Sequence, residues 1–289
     1  MNNGNGLLRP LLWIMGVSMG LVACDDGSKD PGTELPLLAD QNQVQGKSDW
    51  YQPPVAITWQ WQLQGTLNSD YPVALYDVDL FDTPKASIEQ LQAVGKKVIC
   101  YFSAGSYEDW RSDAAAFRSQ DLGKPLDGWE GERWLDIRSQ AVRTLMQQRL
   151  DLARDKGCDG VEPDNMDGYT NNTGFALTAA DQLAFNREIA VEAHRRHLSV
   201  GLKNDLNQIT DLVVDFDFSV NEQCFEFDEC DLLLPFIKAG KPVLNVEYRK
   251  AYVDDASRRK ALCAEASNRR FSTLILPLNL DDSFRYACF

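Results

Sequence analysis

Residues 159–169 read DGVEPDNMDGY. Asp159, Glu162, Asp164 and Asp167 fall within this one short stretch, with Gly, Pro and Asn between them. Gly160-Val161-Glu162 is a brief apolar run that turns polar, as a strand does when it ends in a loop that carries function. What kind of loop it is depends on the pattern to either side.

Upstream, Ile57–Gln62 (ITWQWQ) alternates and reads as a strand, and Val73–Val78 (VALYDV) and Lys97–Phe102 (KVICYF) are two more. Downstream, Ser199–Leu202, Phe216–Val220, Val243–Val246 and Thr273–Leu276 repeat the theme. Helical stretches separate most of these runs. One opens at Thr83-Pro84 and stops at Gly95, one covers Ser139–Asp155, and one begins at a capping box, Thr178 with Asp181. Further helices are expected over Leu206–Leu212, Cys230–Ala239 and Asp254–Ser267. Sequential strands joined by helices pair in parallel with right-handed crossovers. About eight such units close into a (β/α)8 TIM barrel more readily than into an open sheet. No G-x-G-x-x-G follows the first strand, which counts against a dinucleotide-binding sheet. The fold class is therefore α/β, a single barrel over residues 51–289.

In such a barrel the residues that follow each strand share one rim. Here they are Asp77, Asp79 and Asp82, then Ser103, Ser106 and Glu108, then Glu162, Asp164 and Asp167. Lys203, Asn204 and Asp205 come next, then Asn221 and Glu222, then Glu247 and Tyr248. The loops at the other rim read VGKK, RDKGC, RRHL and KAGKP, basic or small. Solvated loops without a task would spread acid over both rims, so the asymmetry points to an acidic functional cleft.

Two chemistries need such a cleft. Glycoside hydrolysis uses two carboxyl groups, one to protonate the leaving oxygen and one to attack or to activate water. A hard divalent cation would instead take Glu162, Asp164, Asn165 and Asp167 as oxygen ligands, although the spacing departs from the D-x-D-x-D-G calcium loop. Asp159 and Asp167 also read as plain loop-capping residues. A barrel that only binds polysaccharide is the remaining alternative. No cofactor is expected.

The run at residues 97–111 (KVICYFSAGSYEDWR), the run at 157–169 (GCDGVEPDNMDGY), Asn186, the GLKND at 201–205 and the SVNEQC at 219–224 together resemble glycoside hydrolase family 114. These are the endo-α-1,4-polygalactosaminidases, TIM-barrel enzymes that act on microbial exopolysaccharides. The resemblance implies that Asp164 and Glu222 are the catalytic carboxylates. It also implies an α-1,4-linked galactosamine polymer as substrate, cationic or partly acetylated. By analogy with other α-specific barrels Asp164 is the nucleophile and Glu222 the general acid/base. Asp77, Asp79, Tyr101, Glu162, Asn165, Lys203, Asn204 and Tyr248 are the expected substrate contacts.

Hydrophobic residues make up 44% of the 289 and charged residues 25%, enough apolar material for a sizeable core. The net charge of -14 repels nucleic acid and attracts cationic ligands. Residues 1–24 carry Arg9, an apolar run and then Leu21-Val22-Ala23-Cys24, which reads as a lipoprotein signal peptide with Cys24 as the lipidated residue. Residues 25–50 read as a flexible tether. The expectation is an exported protein anchored to a bacterial membrane by lipid alone, in the periplasm or at the cell surface. In an oxidising compartment the other six cysteines suggest disulfides. Cys224 with Cys230, Cys263 with Cys288, and Cys100 with Cys158 form one of fifteen possible connectivities.

Overall fold

The structure, a computed structural model, describes residues 48–289. The expected signal peptide, Cys24 and nearly all of the tether lie outside the described residues. Trp50, at the far end of the expected tether, is docked: its indole stacks on His194 with ring centroids 4.0 Å apart and donates to Asp217 Oδ1 at 3.0 Å.

Eight parallel strands run in chain order: β1 (Trp59–Gln62), β2 (Leu75–Asp79), β3 (Lys97–Ser103), β4 (Gly160–Asp164), β5 (Ser199–Lys203), β6 (Phe218–Glu222), β7 (Val243–Glu247) and β8 (Ser272–Ile275). Each pairs in parallel with the next. This is the TIM-barrel order. Every strand lies within two residues of the span read from the sequence.

The strands alternate between two cores, as a period of two requires. Trp59, Trp61, Leu75, Ile99, Phe218, Val220, Leu244, Val246 and Leu274 form one cluster, which fills the barrel. Val78, Val98, Phe102, Val161, Val200 and Leu202 face outward into a second cluster shared with the helices. Gly201 is what lets the interior close here, since a β-carbon on it would lie 2.4 Å from the Phe218 ring.

The helices are α1 (Lys85–Ala93), α2 (Gln140–Lys156), α3 (Ala179–His194), α4 (Ile209–Leu212), α5 (Leu234–Lys238), α6 (Lys250–Asp254) and α7 (Ala256–Arg269). Thr178 and Asp181 form the expected capping box of α3. Gly157 ends α2 in the left-handed conformation, at φ 86°. The expected helices at 206–212 and 230–239 each begin as a 3-10 turn and continue as α4 and α5.

Three features depart from a regular barrel. No helix joins β1 to β2. The segment between β3 and α2 folds as a small antiparallel sheet of Ser106–Glu108, Glu132–Leu135 and Leu122–Pro125. The seam between β8 and β1 is closed by the C-terminal tail. Tyr286–Ala287 pairs antiparallel with β8, and Arg285 donates to the Trp59 carbonyl at 2.9 Å and to Gln60 Oε1 at 2.6 Å. Leu63 N and Gln64 N both donate to the Leu280 carbonyl, and the Trp59 indole donates to the Ser272 carbonyl at 2.8 Å.

Three disulfides join Cys100 to Cys158, Cys224 to Cys230 and Cys263 to Cys288, the pairing suggested by the sequence. The first ties β3 to the start of β4, and the third pins the closing tail to α7. The loops they close differ in length, 58 residues for the first and 6 for the second. Loop-closure entropy then makes the first worth about 4 kcal/mol and the second about 2 kcal/mol. Urea unfolding of the two paired Cys→Ala variants should show that difference. Equal losses would contradict it.

Candidate active site

Three adjacent strands end on charged residues: β4 on Asp164, β5 on Lys203 and β6 on Glu222. The next residue in each case is left-handed, with φ of 60° at Asn165, 48° at Asn204 and 62° at Gln223. Non-glycine residues hold this conformation at a cost, and asparagine tolerates it best. The turns carry the chain away from the rim at once, and the three side chains converge.

They converge on the lysine. Lys203 Nζ lies 3.0 Å from Asp164 Oδ1, 3.3 Å from Glu222 Oε2 and 3.3 Å from Glu162 Oε1. An ammonium carries three hydrogens, and three carboxyl oxygens surround this one. The side chain is only 2% exposed, and Nζ sits 4.9 Å from the centre of the Trp61 ring. Burial alone would drive off its proton. The neighbouring acids Asp164, Glu222 and Glu162 outweigh that and hold the proton well above the usual lysine range.

Asp164 and Glu222 are bound in matching ways. Asp164 Oδ2 accepts from the Tyr101 hydroxyl at 3.0 Å, and Oδ1 accepts from the Asn165 amide at 2.6 Å. Glu222 Oε1 accepts from the Tyr248 hydroxyl. Asn204 Oδ1 accepts from the Glu222 amide at 3.0 Å, which fixes the backbone of that strand end. Each carboxylate thus has one oxygen on the shared lysine and the other on a tyrosine. Burial, then the neighbouring carboxylates, pushes both tyrosines well above their ordinary range, so both remain donors. The two legs that meet at Nζ limit Asp164 Oδ1 and Glu222 Oε2 to a separation of at most about 6.3 Å, the legs laid end to end. Both side chains keep a face to solvent, 20% for Asp164 and 26% for Glu222.

They open into a cleft of about 390 Å³. Its far wall comes from the segment after β3, with Trp110, Arg111, Leu126, Trp129 and Glu132. Trp110 and Trp129 are half exposed, 52% and 46%. The wall is anchored by charge, since Arg111 donates to Asp79 at 3.0 and 2.7 Å and to Glu108 at 2.7 Å. It is also anchored by close backbone approach: a β-carbon on Gly105 would lie 1.8 Å from the Asn165 carbonyl oxygen. Asn165 Nδ2 donates to Ser103 Oγ, and Ser106 Oγ donates to Glu132. On the outer side, Asn186 of α3 donates to the Met166 carbonyl and to Asp205, joining the loops after β4 and β5.

Tyr101, Asn165, Lys203 and Asn204, named from the sequence as substrate contacts, line this cleft, and Tyr248 touches Glu222. Asp79 lines it too, but its carboxylate is taken by Arg111. Asp77 and Glu162 are wholly buried beneath the floor and do not reach the cleft. The cation position that a metal would take beside Glu162 and Asp164 is filled by Lys203. Asp159 caps structure as expected, accepting from Lys97, Gln92 and the Val98 amide. Asp167 differs from its expected capping role. Its main-chain carbonyl does the capping, while its side chain borders the cleft and the two depressions that continue it on either side. Sequence reasoning did not single out Trp110, Trp129, Glu132 or Gly105. The only signal for the first two was their richness in a long loop.

The model of glycoside-hydrolase family GH114 matches residues 40–288. Ega3 of Aspergillus fumigatus, solved in complex with galactosamine, is 46% identical with a TM-score of 0.79, covering 82% of this chain and 97% of its own. The glycoside hydrolase domain of PelA from Pseudomonas aeruginosa shares the fold at 13% identity and TM-score 0.62, covering 80% and 98%. Trehalulose synthase MutB from Pseudomonas mesoacidophila shares it more distantly, at 10% identity and TM-score 0.56, covering 76% and 64%. No curated protein matches the chain.

Several buried carboxyls have a consequence for pH. Burial is the main cause that raises Glu132 and Glu247 to about 7 and Asp205 to about 8. Each binds a proton in the folded protein that the unfolded chain has released above about pH 5. Their stabilising share is therefore complete below the unfolded values and is lost as pH rises through 7 to 8. Urea midpoints measured between about pH 5.5 and about pH 8.5 should fall with rising pH. A flat or rising series would contradict this.

Proposed function

The chain belongs to glycoside-hydrolase family GH114, and from that premise we propose that it is an exported enzyme that cleaves α-1,4-linked galactosamine-containing polysaccharide with retention of configuration. Asp164 is the nucleophile and Glu222 the general acid/base. The observation that carries this reading is the shared ammonium, which holds the two carboxylates close across an open cleft.

In the first step Glu222 gives its proton to the glycosidic oxygen, and the bond from that oxygen to the anomeric carbon breaks. Asp164 forms a new bond to the same carbon, making a glycosyl ester. In the second step Glu222 takes a proton from water, the water oxygen attacks the anomeric carbon, and Asp164 leaves as a carboxylate. Asp164 accepts every hydrogen bond it makes, as an attacking carboxylate should. An oxygen separation of at most about 6.3 Å suits retention, for which about 5–5.5 Å is usual. That bound applies to the two oxygens that face each other across Lys203 Nζ.

Three features support the substrate. A relative of high identity was captured with galactosamine. Unacetylated galactosamine chains are cationic, and the cleft is lined by Asp82, Asp164, Asp167 and Glu222 on a protein of net charge -14. Trp110 and Trp129 offer flat apolar faces for sugar rings. Export rests on the signal-like residues 1–24, with Cys24 as the lipid-bearing residue, and three disulfides suit an oxidising compartment.

Asp164→Asn and Glu222→Gln should each lower the release of reducing ends from α-1,4-galactosamine polymer by about 10³-fold or more, with thermal unfolding little changed. Proton NMR of the first turnovers should show the α anomer before mutarotation. Full activity in either variant overturns the residue assignment, and a β anomer overturns retention. Binding of polymer by wild type and variants alike, with no reducing ends released, would leave a polysaccharide-binding barrel instead.

A further inference from the structure

Asp77 on β2 and Glu162 on β4 lie at the centre of the barrel, each with no exposed surface. None of their four carboxyl oxygens accepts a hydrogen bond from another group of the described residues. The two carboxyls are instead within hydrogen-bonding reach of one another. Two ionised carboxylates cannot hydrogen-bond, since both only accept. Buried side by side, they would repel each other strongly as well. One proton between them removes both difficulties.

We propose that Asp77 and Glu162 share a single proton, held on Glu162, and that this pair is a positioning device which directs the Lys203 charge toward Asp164 and Glu222. Glu162 is the member that keeps the proton because it stands between two other acids, Asp77 and Asp164, whose field outweighs the nearby Lys203 ammonium. Its Oε1 lies 3.3 Å from Lys203 Nζ as a neutral neighbour, while the other oxygen carries the proton toward Asp77. Were Glu162 ionised, its full negative charge, the deepest of the three acids, would draw the ammonium down from the cleft. With Glu162 neutral, the ammonium is left to Asp164 and Glu222, and both stand at the rim.

The surroundings agree. Burial raises Asp77 to about 7 and places Glu162 well above the carboxylate range, where Asp77 and Asp164 hold it against the pull of Lys203. The other titratable groups beside Glu162 are Tyr101 on β3 and Tyr248 after β7, both neutral donors kept so by burial. On the β1 side Lys203 meets the Trp61 ring, which supplies no competing carboxylate.

The test has a spectroscopic arm and a kinetic arm. Infrared difference spectra at neutral pH, wild type minus Glu162→Gln, should contain the carbonyl stretch of one protonated carboxylic acid. The Asp77→Asn variant, in which Glu162 is free to ionise, should lose the same band. A wild-type spectrum without the band, or a band unchanged in both variants, overturns proton sharing. This arm needs no substrate, so its failure is distinct from failure of the glycosidase reading, on which only the kinetic arm rests. There, Glu162→Ala should lower kcat about 100-fold with KM little moved, because the lysine loses its lower contact. Glu162→Gln keeps the acceptor toward Lys203 and a donor toward Asp77, and should recover kcat to within about tenfold of wild type. Equal loss in Glu162→Ala and Glu162→Gln overturns the positioning role. Far-UV circular dichroism identifies any variant that has not folded.

Discussion

One ammonium buried among three carboxyl groups is the constraint that the rest of this protein serves. A lysine with 2% exposure keeps its charge only where countercharge is within contact distance. That requirement fixes three strand ends relative to one another. The left-handed residues after Asp164, Lys203 and Glu222 then cost conformational energy that the ion pairs help to offset. Removing the lysine would leave the acids facing each other without compensation. Keeping it sets Asp164 and Glu222 at a distance suited to a single sugar linkage.

The remainder of the chain makes that geometry rigid. The Cys100–Cys158 bridge ties the strand carrying Tyr101 to the one carrying Asp164, and Tyr101 touches Asp164 directly. The Cys224–Cys230 bridge closes the loop that starts just past Glu222. Where a last helix would usually complete the barrel, the tail lies against β8 and β1, held by Arg285 and the Cys263–Cys288 bridge. The antiparallel sheet after β3 stands as one wall of the cleft, and the buried Arg111 pairs fix its base.

Much of the barrel was legible because each strand is a short apolar run ending in polar residues, and the long helices α2, α3 and α7 open on side-chain caps. The sheet after β3 was not, since strands such as Glu132–Leu135 and Leu122–Pro125 are too short to show a period, and the second contains Gly and Pro. The acids of the rim were legible as a group, but their depth was not. Glu162 and Asp164 sit two positions apart on one strand face, a step of about 6.6 Å along the barrel. That step separates a wholly buried side chain from one that reaches solvent. Asp77 pairs in register with Trp61 and Ile99, well inside the barrel. Layer depth depends on how strands tilt and stagger on closure, which no local pattern records. The choice of Asp164 and Glu222 from the larger set of acids came from family resemblance. Lys203 was named from the sequence as a substrate contact, and its place between the two acids came from the structure.

The central claim is that Asp164 attacks the sugar while Lys203 holds Glu222 beside it. The most direct measurement is to trap the glycosyl ester with an activated fluorinated galactosaminide, digest the protein and map the adduct by mass spectrometry. The account predicts one added sugar, on the peptide containing residues 159–169, attached through the Asp164 carboxyl. An adduct on Glu222 or on any other side chain would contradict it.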